Sequence, residues 1–136
     1  MRPAEARRLF EAARVARLAT TSASGEPHIV PFTFAVDGDL IYSAVDAKPK
    51  STTNLRRLRN IAANPNVTAL VDHYEDDWSK LWWVRADGLA RVIEDADGMA
   101  RPLRLLAGRY PQYVASPPGG PVILIQVHRW TGWSAT

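Results

Sequence analysis

The dipeptide Asp37-Gly38 stands between two short apolar runs, and it restricts the fold of this chain more than any other feature. The runs cover residues 28–36 (HIVPFTFAV) and 39–45 (DLIYSAV). Asp-Gly between two such runs is among the strongest short-range signals for a β-hairpin. The pattern therefore predicts an antiparallel sheet, with Pro31 at an irregular or edge position where no backbone donor is needed.

Other apolar runs of strand length accompany this hairpin, at residues 15–22, 66–74, 80–95 and 121–130. The run at 80–95 contains Asp87-Gly88, which either closes a second hairpin or bends one long strand, and the pattern leaves both open. Helical spacing of apolar residues predicts helices near the N-terminus and over 51–63 and 96–110, followed by a loop at 110–120. About six antiparallel strands with two or three helices predict a small barrel or an α+β sandwich.

The length and composition narrow the class of protein. A chain of 136 residues is the size of one domain, here residues 1–136. It contains no apolar run of about 18 residues, its charged N-terminal segment lacks the apolar region of a signal peptide, and a cytoplasmic location is expected. It has no cysteine, so no disulfide or cysteine-zinc site is expected. The net charge of +3 is modest, so neither nucleic acid nor membrane is an expected partner.

Several catalytic motifs are missing from the chain. It has no glycine-rich dinucleotide fingerprint, no phosphate-binding Gly-Lys-Ser/Thr loop, no His-Glu-x-x-His and no Gly-x-Ser-x-Gly. The histidines His28, His73 and His128 have no metal-ligand spacing, so no metal site is predicted. No side-chain nucleophile stands out, and the catalytic residues stay unassigned. We therefore expect that a bound cofactor supplies any chemistry.

A basic junction lies between the hairpin and the second helix, in the segment 45–55 (VDAKPKSTTNL). Residues 48–59 hold five cations and no acid. Because a helix N-terminus has free backbone N–H groups and partial positive charge, it favours a phosphate. Lys48 and Lys50 would add charge, and hydroxyls such as those of Ser51 and Thr52 would donate to phosphate oxygens. The alternative is a solvated helix start whose hydroxyls only cap the helix.

Tryptophans form a second cluster in the sequence. Trp82-Trp83, Trp130 and Trp133 make up four of the five tryptophans. Such rings can line the binding site of a flat ligand, although tryptophans on strands lie more often in a core or a dimer interface. Since neighbouring strand residues point to opposite faces, Trp82 and Trp83 cannot both lie in one core. One of them is expected to meet a partner chain.

The segment from His28 to Tyr74 resembles the core of the flavin-binding split-barrel family, the pyridoxamine 5′-phosphate oxidase-like proteins. More narrowly, DAKPK (46–50), LRNIAANP (58–65), DHYEDDWSKLWWVRADG (72–88) and RWTGW (129–133) resemble its short actinobacterial branch, which uses the deazaflavin coenzyme F420. The resemblance implies a mainly β, α+β fold: a six-stranded antiparallel split β-barrel (the FMN-binding split barrel) with two to three flanking helices. It also implies one long, bent strand at Asp87-Gly88, and a homodimer with cofactor sites at the subunit interface.

The resemblance further implies which residues bind the cofactor. Val30, Pro31, Phe32 and Thr33 match the strand segment that faces the ring, whereas Tyr42 and Ser43 match residues beside the ribityl-phosphate chain. Lys48 and Lys50 match the paired basic residues before the helix, and Ser51 and Thr52 match the hydroxyls after them. Trp83, with Trp133 as a weaker counterpart, matches a position that reaches the cofactor from the other subunit. In the vitamin oxidases, an arginine stands at the start of the ring-facing strand and a lysine at its end. This chain lacks both, so vitamin oxidation is not expected.

These correspondences imply an F420-dependent oxidoreductase that transfers a hydride from the reduced deazaflavin to an electron-poor conjugated small molecule. The alternatives are an FMN-dependent oxidoreductase on the same fold, or a non-catalytic carrier of a flavin or of F420. The deazaflavin differs from FMN by an anionic lactyl-oligoglutamate tail. Arg56, Arg57 and Arg59 would suit that tail, or they form a solvated helix face.

Overall fold

The structure is a computed structural model that describes residues 1–45 and 56–136 in full and only the backbone of residues 52–55. Its described α-helices are α1 (Pro3–Ala12), α2 (Thr52–Ala63), α3 (Ala96–Arg109) and α4 (Pro111–Ala115), with one 3₁₀ turn at Trp78–Lys80. Its strands are β1 (Ala16–Thr21), β2 (Pro27–Phe32), β3 (Ala35–Asp37), β4 (Leu40–Ala44), β5 (Asn66–His73), β6 (Trp82–Ile93) and β7 (Val122–Ser134). No helix of the described residues is long and apolar enough to cross a membrane.

The strands form one antiparallel sheet in the order β2-β1-β5-β6-β7-β4-β3. Its two edge strands, β2 and β3, follow each other in the chain and are joined by Thr33 and Phe34 alone. So short a link spans at most about 11 Å, and the sheet must curl until its edges nearly meet. The result is an open, barrel-like sheet, which confirms the predicted mainly β, antiparallel class.

The described residues form seven strands, and the prediction of six strands was wrong. The apolar run at 28–36 breaks at Thr33-Phe34 into β2 and β3, which belong to opposite edges. At the break, the Tyr110 hydroxyl accepts from the Phe34 N–H at 3.1 Å and lies 3.1 Å from the Phe34 carbonyl oxygen. This contact replaces a strand partner, and the continuous apolar run did not reveal it.

The helix count also exceeds the predicted two to three, because α4 lies inside the segment predicted to be a loop. Pro111 occupies its first turn, where proline costs no backbone hydrogen bond. The segment around Asp87-Gly88 is one strand, β6, with a register shift between these two residues. The bent strand implied by the family resemblance is therefore confirmed, and a second hairpin is excluded. Pro31 lies on the edge strand β2, as its missing N–H predicts.

Two apolar clusters hold the elements together. In the first, α1 buries Ala6 and Phe10 against the sheet, and the Phe10 ring centroid lies 4.9 Å from that of Phe34 and 5.5 Å from that of Trp130. In the second, α3 packs Leu106 against β3, β4 and β7. Each fully buried side chain of this size contributes about 1.5–3 kcal/mol through removal of apolar surface from water.

Arginines tie α1 to α3 at their C-terminal ends. Arg109 donates to the carbonyl oxygens of Glu11 and Ala13, and Arg14 donates to the carbonyl oxygen of Arg109 at 2.8 Å. The last carbonyls of a helix have no partner within the helix, so these arginines satisfy them. The Arg109 guanidinium also lies 5.1 Å from the centroid of the Phe34 ring. The link between the sheet edges is thus fixed by both helices.

Candidate functional site

The strand predicted to face the cofactor ring, β2, is an edge of the sheet and pairs only with β1. An edge strand keeps one row of backbone N–H and C=O groups available to a ligand. Its side chains alternate: Pro31 is exposed, while Val30 and Phe32 point inward and Phe32 packs on Phe34 at 5.5 Å. A ligand on this edge would therefore meet the β2 backbone and Pro31, and the Phe32 ring is closed off in the core.

Thr33 follows the last residue of β2 and hydrogen-bonds α4. Its Oγ1 lies 2.7 Å from the Tyr113 hydroxyl oxygen. Tyr113 was not predicted as a site residue because its segment reads as a loop. Its spacing of three from Tyr110, whose ring lies 5.6 Å away, was the available signal. The structure therefore adds a tyrosine hydroxyl to the end of the predicted ring-facing strand.

Tyr42 and Ser43 lie on β4, and both are almost completely buried within the protomer. Burial raises the pKa of the Tyr42 phenol, the Asp37 carboxylate raises it further, and Arg101 opposes the shift. Arg101 donates from Nε to Asp37 Oδ2 at 2.9 Å. The Tyr42 phenol is therefore held protonated. That these residues flank a ribityl-phosphate chain stays a prediction.

The basic junction is described only in part. Lys48, Lys50 and Ser51 lie outside the described residues, and the α2 backbone begins at Thr52. The predicted phosphate contacts of these residues stay predictions. What the structure does show is how the arginines that follow them on α2 are oriented.

The three arginines of α2 do not share one environment. Arg56 and Arg59 are exposed, and a spacing of three residues puts them on one side of the helix. Arg57 is only 7% exposed, and burial lowers the pKa of its guanidinium, an effect partly offset by Tyr113. Arg56 and Arg59 are thus accessible to solvent or to an anionic tail, and the choice between these two stays open, whereas Arg57 points inward and does not belong to a solvated helix face.

His28 lies on the inward side of β2, next to α2. Its Nδ1 is buried and has no hydrogen-bond partner among the described residues. Burial lowers the pKa of the imidazole, and the charges of Arg56 and Arg57 lower it further. His28 is therefore a neutral histidine that resists protonation in the folded chain.

This environment makes stability depend on pH. Because the folded pKa of His28 lies below its unfolded value of about 6.5, the unfolded chain binds the proton first as the pH falls. The free energy of unfolding should be independent of His28 above that pH and should decrease below it, until the folded pKa is reached. In His28→Gln, the free energy of unfolding measured by urea titration should decrease less between about pH 7.5 and pH 5 than it does in the wild type. An unchanged slope would contradict the assignment.

Trp83 and Trp133 lie side by side on the outer face of the sheet, because β6 and β7 pair them directly. Trp133 is 45% exposed, and the Arg85 guanidinium lies 5.3 Å from the Trp83 ring centroid. Trp82 points the opposite way, as strand alternation requires, and packs against the main core. The two outer tryptophans are accessible to a partner or a ligand, and their predicted contact with a cofactor stays a prediction.

The outer face of this sheet carries further exposed apolar side chains, Ile29, Leu70 and Leu89. They lie on β2, β5 and β6, on the same side as Trp133. Scattered exposed apolar residues are normal, but several on one sheet face indicate a binding surface.

A curled antiparallel sheet whose two edge strands follow each other in the chain is the architecture of a split barrel. The profile of the family described as pyridoxamine 5′-phosphate oxidase matches residues 3–134. The chain belongs to this family. The resemblance found in the sequence is thereby confirmed at the level of the family.

Solved structures show the same fold at low sequence identity. A conserved hypothetical protein from Mycobacterium tuberculosis is 23% identical, with a TM-score of 0.77 over 99% of this chain and 86% of that one. An FAD-binding protein from Mesorhizobium loti is 21% identical, with a TM-score of 0.73 over 97% and 94% of the two chains. A haem storage protein from Vibrio cholerae is 17% identical, with a TM-score of 0.73 over 98% and 95%. A comparison with curated protein sequences gives no match.

Proposed function

We propose that this protein is a coenzyme F420-dependent reductase whose bound deazaflavin supplies the hydride for an electron-poor conjugated small molecule. The observation that carries the choice of cofactor is the exposed pair Arg56 and Arg59 on α2. These cations follow the predicted phosphate site and lie on one side of the helix, where an anionic tail leaving the phosphate would pass. FMN ends at its phosphate and has no group for them.

The charges near this pair favour an anion. The described carboxylate that approaches Arg56 is Glu26, at 3.9 Å, and both side chains are largely exposed. Such surface pairs contribute about 0–1 kcal/mol, so a multiply charged tail displaces the contact at little cost. Arg57 points inward and does not belong to this surface.

Each part of the proposed cofactor has a counterpart in the chain. Lys48, Lys50 and the start of α2 would bind the phosphate, and the free edge of β2 with Pro31 would hold one edge of the ring. Thr33, fixed by Tyr113, would orient the end of that strand. The residues position the ring, and no described group is assigned as the proton donor.

Two alternatives use the same scaffold. An FMN-dependent oxidoreductase would share the phosphate site and leave Arg56 and Arg59 unused, and an FAD-binding protein of the same fold supports a flavin of that kind. A non-catalytic carrier would bind the cofactor without turning over any acceptor. The cofactor preference and the turnover of a bound, reduced cofactor separate the three.

The test compares the affinities of three ligands for the wild type and two variants. Each affinity is measured by anaerobic titration, with tryptophan fluorescence as the signal. Arg56→Gln/Arg59→Gln should weaken the full-length deazaflavin by about 3- to 10-fold, since two exposed ion pairs contribute up to about 1 kcal/mol each. FMN and a tail-trimmed deazaflavin should be nearly unaffected. Lys50→Ala is the matched control, and it should weaken all three by at least about tenfold through loss of a charge-assisted phosphate contact.

Higher salt should reproduce the double variant's effect, because the screening length falls from about 10 Å at 0.1 M to about 3 Å at 1 M. Exposed tail contacts should fade before the phosphate contact does. If FMN binds more tightly than the full-length deazaflavin at about 0.15 M salt, the F420 assignment fails and the FMN alternative replaces it.

We also propose that the protein is a homodimer formed through the outer face of the sheet, around Ile29 and Leu89. Ile29 is 64% exposed on β2, and Leu89 is exposed on β6. A stable interface buries more than about 1,000 Å² in total. Leu89→Glu should shift the protein to monomers in sedimentation velocity at micromolar concentration. Val114→Glu, on the exposed side of α4, is the control and should not. A wild-type monomer would contradict the proposal.

A further inference from the structure

A hollow of about 230 Å³ lies on the outer face of the sheet, where β5 ends and β6 begins. Strand pairing places Asp72, Trp83 and Trp133 side by side in one row across β5, β6 and β7. Leu70 precedes Asp72 on the same face of β5, Tyr74 follows it, and both line the hollow. We call these five residues the Asp72 hollow. It is smaller than the sites of drug-sized ligands, so it suits a molecule with a single ring.

The walls of the Asp72 hollow are aromatic and aliphatic. Trp133 is 45% exposed, Tyr74 is 67% exposed, and Leu70 is exposed as well. The rings of His73 and Trp82 stack on each other on the opposite face of the sheet and do not belong to these walls. Exposed rings and aliphatic chains around a concave surface gain from covering by a flat apolar body.

Asp72 places one carboxylate among these apolar walls. It lies directly opposite Trp83 in the strand pairing. Its side chain is exposed, and it forms no ion pair or hydrogen bond with any residue that the structure describes. A carboxylate beside the rings of tryptophans attracts a cation twice, through its own charge and through the negative faces of the rings.

The same face of the sheet already holds a guanidinium between a tryptophan and a carboxylate. The Arg85 guanidinium lies 5.3 Å from the Trp83 ring centroid, and its Nε donates to Asp87 Oδ2 at 3.3 Å. Trp133 and Asp72 offer the same two kinds of group on either side of Trp83. No cation of the described chain is in contact with either of them.

The charges around the hollow also favour a cation. Arg85 is neutralised by Asp87, so it adds no net charge. Arg17, exposed on β1 opposite Leu70, is a cation of the same face. The loop after β5 carries the acidic residues 75–77, and Lys80 contacts two of them. Together with Asp72, the carboxylates outnumber the cations, and an anion would be repelled.

We propose that the Asp72 hollow binds a small, planar organic cation of the amidinium or guanidinium class. The planar fork of such a group matches a carboxylate with two parallel hydrogen bonds, and its flat surface stacks on aromatic rings. Two strand spacings, about 10 Å in all, separate the backbones of Asp72 and Trp133. The charged end of the ligand therefore pairs with Asp72, and its apolar ring lies along Trp83 towards Trp133.

This site is separate from the centre of the proposed dimer face and from the proposed cofactor chemistry. Leu89 lies six residues from Trp83 on β6, about 20 Å along the strand. The ligand is recognised by a carboxylate and rings of this chain alone, so its binding does not depend on the proposed reductase.

The experiment measures binding of benzamidine, a one-ring amidinium, to the purified protein by calorimetry. Benzamide has the same shape without the charge, and benzylamine has the charge without the planar fork. Benzamidine should bind at least about tenfold more tightly than benzamide, through a charge-assisted contact. Asp72→Asn should weaken benzamidine by about the same factor and leave benzamide unchanged. Trp133→Ala should weaken both ligands.

The control variant is Asp76→Asn, which removes an exposed carboxylate of the neighbouring loop outside the hollow. It should change the affinity for benzamidine by less than about twofold, because an exposed charge at a distance is screened. Circular dichroism of each variant shows that the fold is intact.

Three results would overturn the proposal: no benzamidine binding at millimolar concentration, equal affinity for benzamidine and benzamide, or an unchanged affinity in Asp72→Asn. Equal affinity for benzylamine and benzamidine would reject the planar amidinium class. Equal effects of Asp72→Asn and Asp76→Asn would show that the general negative charge of this region attracts the ligand and that the hollow is not its site.

Discussion

Replacing Phe34 with alanine is expected to lower the free energy of unfolding by about 3–5 kcal/mol. Phe34 is completely buried, and its ring packs between those of Phe10, at 4.9 Å, and Phe32, at 5.5 Å. The Arg109 guanidinium covers the same ring at 5.1 Å. The cavity left by alanine cannot collapse readily, because Tyr110 holds the Phe34 backbone in place.

Urea denaturation followed by circular dichroism at fixed protein concentration measures this effect. Phe34→Leu keeps most of the side-chain volume, and it should lower the free energy of unfolding by less than half as much as Phe34→Ala. Val114→Ala shortens a side chain that is 68% exposed, and its free energy of unfolding should lie within about 0.5 kcal/mol of the wild-type value. A loss below about 1 kcal/mol for Phe34→Ala would mean that the link between the sheet edges does not depend on this ring.

Gly88→Ala should destabilise the protein by about 3 kcal/mol, at the upper end of the range for overpacking. A Cβ at this position would lie 2.5 Å from the Gln126 carbonyl oxygen and 2.9 Å from Ile125 Cγ2. The carbonyl belongs to β7, which is paired on both sides, so it cannot move without breaking the sheet. The cost comes from backbone contact at the register shift.

Gly108→Ala is the matched control for this variant. Gly108 lies in α3, and outside its own helix turn no described atom lies within 4 Å of a Cβ built there. Alanine is favoured over glycine in a helix by up to about 0.5–1 kcal/mol, and Gly108 lies in the last turn of α3, so this variant should be as stable as the wild type or slightly more stable. Equal effects of the two substitutions in urea denaturation would show that strand β6 is free to shift away from β7.

Part of the candidate site could be predicted from the sequence. The change from apolar strand to basic helix start marked Lys48 to Arg59, and strand alternation placed Trp82 and Trp83 on opposite faces. These features depend on neighbouring residues, and local spacing reports them. The inward turn of Arg57 could not be predicted, because an arginine between two exposed arginines gives no sign of burial.

The sequence by itself determined the turn at Asp37-Gly38, the edge position of Pro31, the amphipathic helix α1 and the antiparallel class of the sheet. Each follows from backbone restrictions or apolar spacing within a few residues. The tertiary structure alone decided that the run at 28–36 breaks at Phe34. The hydroxyl that satisfies the Phe34 backbone belongs to Tyr110, 76 residues further along the chain, and no local pattern encodes a hydrogen bond over that distance.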